Sequence, residues 1–221
     1  ITVGNVNSVP VEILPEIMSD CLDYFGAIVM SYGLARSKWG QTRMPLIIQC
    51  YGSPFESRKA QICNLDNVLR LNAKGVSVQL DFRLTGNELT NQISSVAQFV
   101  CQAHQQDIPV LFMVSPRKSS DLEKISESIR ISQEIGADLI KIRCKTTEYI
   151  DSDSEESLRR LLKCSPPVLL SGGEPRETIY SELSDGRRLG FSGYCIGRHV
   201  FQSGQPAHTA CMLHDAWYSK S

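Results

Sequence analysis

Eight short apolar runs dominate this sequence and limit what it can fold into. They are Ile1–Val6, Ala27–Ser31, Pro45–Cys50, Gly75–Asp81, Pro109–Val114, Asp138–Cys144, Pro167–Ser171 and Phe191–Gly197. Each has strand length, and most are rich in Val, Ile and Leu. Helical spacing fills most of the gaps. Leu14, Ile17 and Cys21 share one stripe, as do Leu89, Ile93, Val96 and Val100, and Leu122, Ile125 and Ile129. Ser120 with Glu123 reads as a capping box, and Ser152 with Glu155 as a second one. Gly75 and Gly136 stand where helix C-caps precede strands. Tyr32–Gln41 is too short for a normal helix.

Eight β/α units in 221 residues predict a closed (β/α)8 TIM barrel, a fold that spans about 200 to 400 residues. The competing fold is an open doubly wound sheet. No GxGxxG or GxxxxGK[ST] follows any strand, which counts against it. No long repeat or Pro/Gly/Ser-rich linker divides the chain, so residues 1–221 read as one compact domain.

Composition excludes other classes. With 42% hydrophobic and 21% charged residues, the chain is neither disordered, collagen-like nor a coiled coil. A net charge of −1 gives no electrostatic footprint for nucleic acid or a membrane surface. No run approaches the roughly 18 to 20 apolar residues of a membrane helix. The eight cysteines form no CxxC and are widely spaced. Most lie in apolar surroundings and read as small buried hydrophobes in a reducing, cytoplasmic setting, and no secretory signal is visible. No HxH or HExxH occurs, so no metal is expected. His104, His208 and His214 read as helix residues, while His199 follows a strand end and could touch a substrate.

Alternation of strand side chains then selects a lumen face. In the fourth run Val76, Val78 and Leu80 point outward, and Ser77, Gln79 and Asp81 point inward. In the sixth, Ile140 and Ile142 point outward, and Leu139, Lys141 and Arg143 inward. Gln49, Ser115 and Ser171 are inward by the same rule, and Asn5 shares a face of the first strand with Asn7. These polar groups gather near the C-terminal strand ends, where barrel active sites lie. Lys141 is the sharpest of them. A lysine within an apolar strand loses hydration, and the neighbouring cation Arg143 further favours the neutral amine. A neutral amine attacks carbonyl carbon to form a Schiff base. The competing role is an ion-paired filler beside Asp81. Two later segments favour chemistry: Ser171-Gly172-Gly173 ends the seventh run, and Gly197-Arg198 ends the eighth. Backbone N–H groups at these two positions commonly hold phosphate in barrels, and Arg198 adds a charged fork.

Gly136-Ala137-Asp138-Leu139-Ile140-Lys141 resembles the Schiff-base segment of the class I aldolase superfamily that includes archaeal-type fructose-bisphosphate aldolase and deoxyribose-phosphate aldolase. Ser171-Gly172-Gly173 and Gly197-Arg198-His199-Val200-Phe201-Gln202 resemble its phosphate loops, and the match spans essentially the whole chain. The resemblance implies a Lys141 Schiff base, no dissociable cofactor, a phosphorylated ketone substrate and a homo-oligomer. The chain departs from the family twice. An Asp-His pair usual at the first strand end is replaced by Asn5-Val6-Asn7-Ser8, and a Tyr-Pro-Arg by Ser115-Pro116-Arg117. Two proton-handling groups are therefore changed, which points to a specialised biosynthetic lyase rather than glycolytic cleavage. Asp81 is the first candidate to carry the proton and Tyr51 a weaker one. Arg143, Gln49, Ser115 and Asn5 complete the expected substrate shell. Two other readings stay open. One is a thiolase-like or cyclising enzyme on the same scaffold, with Cys144 nearby; the other is a barrel kept only for binding or assembly.

Overall fold

The computed structural model describes residues 2–5, 20–37, 44–55, 58–150 and 152–219. Eight strands close into a parallel barrel. They are β1 (Thr2–Asn5), β2 (Ala27–Ser31), β3 (Leu46–Gln49), β6 (Gly75–Asp81), β7 (Val110–Ser115), β8 (Leu139–Ile142), β9 (Val168–Ser171) and β10 (Gly193–Ile196). Their order around the barrel is β1-β10-β9-β8-β7-β6-β3-β2, with parallel pairing that closes between β1 and β2. Each strand lies within one of the eight apolar runs, except that β7 runs one residue past its own, to Ser115.

Between β3 and β6 lies an antiparallel hairpin, β4 (Tyr51–Phe55) and β5 (Arg58–Gln61), which the apolar pattern did not reveal. Gly52, Pro54, Arg58 and Lys59 give it neither β-branched enrichment nor clean alternation.

The helices are α1 (Tyr32–Arg36), α2 (Leu65–Leu69), α3 (Gly86–His104), α4 (Leu122–Ile135), α5 (Glu155–Cys164), α6 (Ile179–Leu189), α7 (Arg198–Phe201) and α8 (Pro206–Tyr218). The 5-residue α1 agrees with the shortness read from the sequence there. The stripe from Leu14 lies outside the described residues except for its last member, the buried Cys21.

Three capping expectations are corrected. Asp121, not Ser120, caps α4, because its Oδ1 accepts from Glu123 N–H at 3.1 Å and Lys124 N–H at 3.3 Å. Ser152 caps no helix; its hydroxyl donates to the Tyr149 carbonyl at 2.9 Å. Gly75 opens β6, and the C-cap of α2 is Arg70. Gly136 does end α4, with φ 106°, a left-handed conformation that favours glycine.

Two separate apolar clusters follow from strand alternation. The outer one joins Val76, Val78, Leu80, Ile140 and Ile142 to helix residues such as Val96, Val100, Ile125 and Ile129. The inner one fills the lumen with Val3, Val29, Leu111, Met113, Leu169 and Cys195. Burying one such aliphatic side chain contributes about 1.5–3 kcal/mol. The larger outer cluster therefore carries most of the fold, and the lumen is left room for polar groups at its C-terminal end. Among the described residues no helix is long and apolar enough to cross a membrane.

Candidate active site

In-register neighbours on parallel strands face the same side of a sheet, so the lumen cluster fixes the facing of its neighbours. Lys141 pairs with Met113 on one side and Leu169 on the other, both in the lumen cluster. Ile140 and Ile142 flank it in sequence, fully buried in the outer layer. Lys141 therefore projects inward, half-buried, from a wall of apolar side chains. Its neighbour across the lumen is Cys195; burial pushes that thiol up, and the nearby lysine opposes the shift. Cys195 has no exposed surface. The sequence reading missed this contact, although alternation along Gly193–Ile196 already turns Cys195 inward.

The β3–β6 side of the lumen is polar. Gln49 is level with Ser77, and Ser77 with Leu111, so Gln49, Ser77 and Gln79 share the inner face. Ser77 Oγ and Gln79 Oε1 are buried with no hydrogen-bond partner among the described residues. Asp81 is level with Ser115 and is 7% exposed. Arg83 grips its carboxylate, donating from Nε at 2.8 Å, from Nη2 at 2.6 Å and from the backbone N–H at 3.1 Å. Asn5 ends β1, level with Val29. Tyr51 does not belong to this set. It follows β3 as the hairpin leaves the barrel wall, and its hydroxyl meets Ser95 Oγ on α3 at 2.9 Å. Its ring stands edge-on to Phe99.

Above the lysine, β9 runs into a tight turn. Ser171 is level with Cys195, and Gly172 N–H donates to the Cys195 carbonyl at 3.4 Å. Gly173 has φ +68°, and a Cβ there would lie 3.3 Å from Arg143 Cζ and from Arg176 Nη1. Arg143, an exposed residue one place past β8, thus reaches this turn from the neighbouring strand. Gly197 precedes α7, and Arg198 forms an ion pair with Glu174 across the two loops. Ser171, Gly172, Gly173, Arg143 and Arg198 are thereby gathered at one rim.

Three more residues build that rim. Arg176 donates through Nε to Glu182 Oε1 at 2.7 Å, through Nη2 to Glu182 Oε2, and through Nη1 to the Gly172 carbonyl. Its backbone N–H donates to His199 Nε2 at 3.0 Å. Burial pushes the Glu182 carboxyl up, but the hydrogen bonds from Arg176 and Thr178 outweigh it and hold the group low. Burial, reinforced by the positive charge of Arg176, holds the His199 imidazole down to about 4.

Cys144 lies in the outer cluster at 1% exposure, and burial pushes its thiol up to about 12. A thiol aimed away from the lumen and kept protonated is poorly placed for covalent work. No disulfide joins any of the eight cysteines.

A closed parallel barrel with an inward lysine near its mouth and glycine turns on the next two strands is the layout of an aldolase-type barrel. The DeoC/LacD family aldolase profile matches residues 10–203, and the chain belongs to that family. Among its relatives is a 2-amino-3,7-dideoxy-D-threo-hept-6-ulosonate synthase from Archaeoglobus fulgidus, 26% identical over 92% of this chain and 78% of the relative. Another is a 2-amino-4,5-dihydroxy-6-oxo-7-(phosphonooxy)heptanoate synthase from Streptomyces griseus, 28% identical over 79% of this chain and 65% of the relative. An archaeal fructose-1,6-bisphosphate aldolase, solved with its catalytic Lys covalently bound to the carbinolamine intermediate, shares the fold. Its TM-score is 0.79 at 20% identity, over 94% of this chain and 84% of that one.

Proposed function

We propose that this chain is a Schiff-base carbon–carbon lyase or synthase acting on a phosphorylated ketone. The observation that carries the reading is the seat of Lys141: a lone amine on an apolar lumen wall, below a rim of glycine turns and arginines. The Lys141 amine attacks the substrate carbonyl carbon, and the carbonyl oxygen takes a proton to give a carbinolamine. Loss of water leaves an iminium. The iminium accepts the electron pair of the breaking C–C bond, or supplies it as an enamine when a bond forms. No dissociable cofactor is needed for these steps.

Cleavage also requires a base to accept the proton of the substrate hydroxyl. Asp81 is proposed for this role. Its gripping guanidinium is 63% exposed on the side chain, so Arg83 can swing into solvent and free the carboxylate. Backbone groups of Ser171, Gly172, Gly173 and Gly197, with Arg198 and Arg143, would hold the phosphate. Gln49, Ser115 and Asn5 would line the path to the carbonyl. Remote phosphate binding positions the carbonyl at the amine. The names of the two relatives as synthases favour a biosynthetic condensation. A homo-oligomer and a cytoplasmic setting belong to the same proposal; sedimentation of the purified chain tests the first.

Borohydride trapping with dihydroxyacetone phosphate, read by intact mass, tests the chemistry. A stable adduct is expected on the wild type and none on Lys141→Ala. No wild-type adduct, or an equal adduct on the variant, overturns the proposal.

A further inference from the structure

We propose that Arg176, Glu182 and His199 form a buried clasp that sets the Gly172–Gly173 turn to the shape of a phosphate monoester and so determines preference for phosphorylated over unphosphorylated ketones. The inference rests on the phosphate-binding role given above to that turn. It assigns these three as positioning residues, not as ligands of the phosphate.

Four residues beyond Gly172, Arg176 would pass from sequence alone as one more phosphate arginine. Its hydrogen bonds point the other way. Nε and Nη2 are committed to the two oxygens of Glu182, and Nη1 to the carbonyls of Gly172 and Glu174. The guanidinium is thus turned back into the protein, binding the turn by its carbonyl side. The Gly172 N–H is held by the Cys195 carbonyl, so with the Gly172 and Glu174 carbonyls drawn to Arg176 the N–H groups that follow Gly172 are the ones the turn would offer to an anion.

Glu182 completes the clasp from α6. It is 8% exposed, and Thr178 Oγ1 donates a further bond to its Oε1 at 2.8 Å. Its backbone carbonyl accepts from Thr146 Oγ1 at 3.0 Å, which ties in the segment after β8 that carries Arg143. His199 ties in the segment after β10. The Arg176 N–H donates to His199 Nε2, so the ring proton of the neutral imidazole resides on Nδ1. That nitrogen is buried without a partner among the described residues, and a Cβ on Gly172 would lie 3.3 Å from it. One network therefore reaches three successive strand ends.

Charge and energetics agree with a positioning role. Glu182 neutralises Arg176, and Glu174 pairs with Arg198 at the surface. Arg143 stands against Gly173 with no carboxylate at ion-pairing distance among the described residues. A buried ion pair adds little net stability compared with apolar packing, because desolvation offsets the attraction. What it fixes well is geometry, and here the fixed geometry is the turn.

Trapping rates with dihydroxyacetone phosphate and with dihydroxyacetone, and inhibition by inorganic phosphate, test the clasp. Glu182→Gln should raise the half-saturating concentration of the phosphorylated ketone by about ten- to hundredfold. It should weaken phosphate inhibition in parallel and leave the unphosphorylated ketone within about twofold. His199→Leu should act in the same direction, and His199→Gln, which keeps an acceptor for the Arg176 N–H, should restore part of the loss. Equal loss with both ketones, or no change with either, overturns the clasp. A Glu182 variant that does not fold leaves the His199 pair to decide by the same criteria. A wild type that prefers neither ketone and ignores phosphate overturns the phosphate reading itself, and the clasp with it.

Discussion

The floor of the site and its rim are built by different forces. Lys141 is held by packing: its strand is locked by Ile140 and Ile142 in the outer layer, and its neighbours in the lumen are Met113, Leu169 and Cys195. The Gly172–Gly173 turn is held by polar bonds from three elements. The floor should therefore tolerate loss of its polar group and fail only in chemistry. The rim should lose stability and specificity together when one polar partner is removed.

The largest test of that difference is Lys141→Met. It should abolish the borohydride adduct completely. A thioether suits an apolar lumen better than an amine, so unfolding free energy should stay level or rise by about 1 kcal/mol. Urea unfolding beside trapping checks both halves. A variant that unfolds more readily than the wild type would mean that Lys141 holds the barrel together.

Asp81→Asn comes next. If Asp81 moves the proton, the rate of C–C cleavage should fall by about 10²- to 10⁴-fold, while adduct formation with the ketone persists. Single-turnover cleavage set against trapping separates the two steps. Equal cleavage by variant and wild type would remove Asp81 from the mechanism.

The rim is tested by acid. His199 is neutral in the folded chain, with its pKa held down to about 4 against an ordinary value near 6.5. Between those values the unfolded chain binds a proton that the folded chain refuses. Stability should therefore be complete above pH 6.5 and decline as pH falls towards 4, by on the order of 3 kcal/mol. Glu182 acts in a lower window: its carboxyl is held below the usual value, so its contribution fades only as pH drops past the ordinary carboxylate range. Thermal unfolding from pH 7 to 4 should show the decline in the wild type and a flatter profile in His199→Gln.

The same difference explains what could be read in the sequence. All eight barrel strands, the inward facing of Lys141 and Asp81, and the glycine turns are local in origin. They follow from period-two alternation and from Gly pairs at strand ends, which a single strand displays. The Arg83 grip on Asp81 spans only two residues, yet alternation says nothing of it, because it depends on where the chain turns after β6. The clasp is legible in no single segment. Its members stand at 176, 182 and 199, and only barrel closure brings the last of them beside the first. Cys195 is intermediate: its facing was available from alternation, but its contact with Lys141 required the register of β8, β9 and β10. The hairpin β4–β5 was hidden because Gly52, Pro54, Arg58 and Lys59 leave its strands without β-branched enrichment or clean alternation.

The smallest expected effect compares two ion pairs of one kind. Arg83 and Asp81 have side-chain exposures of 63% and 10%, against 23% and 10% for Arg176 and Glu182. Both carboxylates are buried alike, so the difference lies in the guanidinium. Water reaches the Arg83 group and screens its attraction, and Asp81 retains the Arg83 backbone N–H and the Gln92 link to its own N–H when the side chain is removed. Arg83→Gln should thus change stability by less than about 1 kcal/mol, and the effect should shrink further in high salt. Glu182→Gln leaves a largely buried guanidinium without its counter-charge and should cost about 1–3 kcal/mol with little salt dependence. Paired urea titrations at low and high salt give both numbers. Equal costs would show that polar bonding at the rim is no more demanding than at an exposed pair, and would erase the distinction between floor and rim.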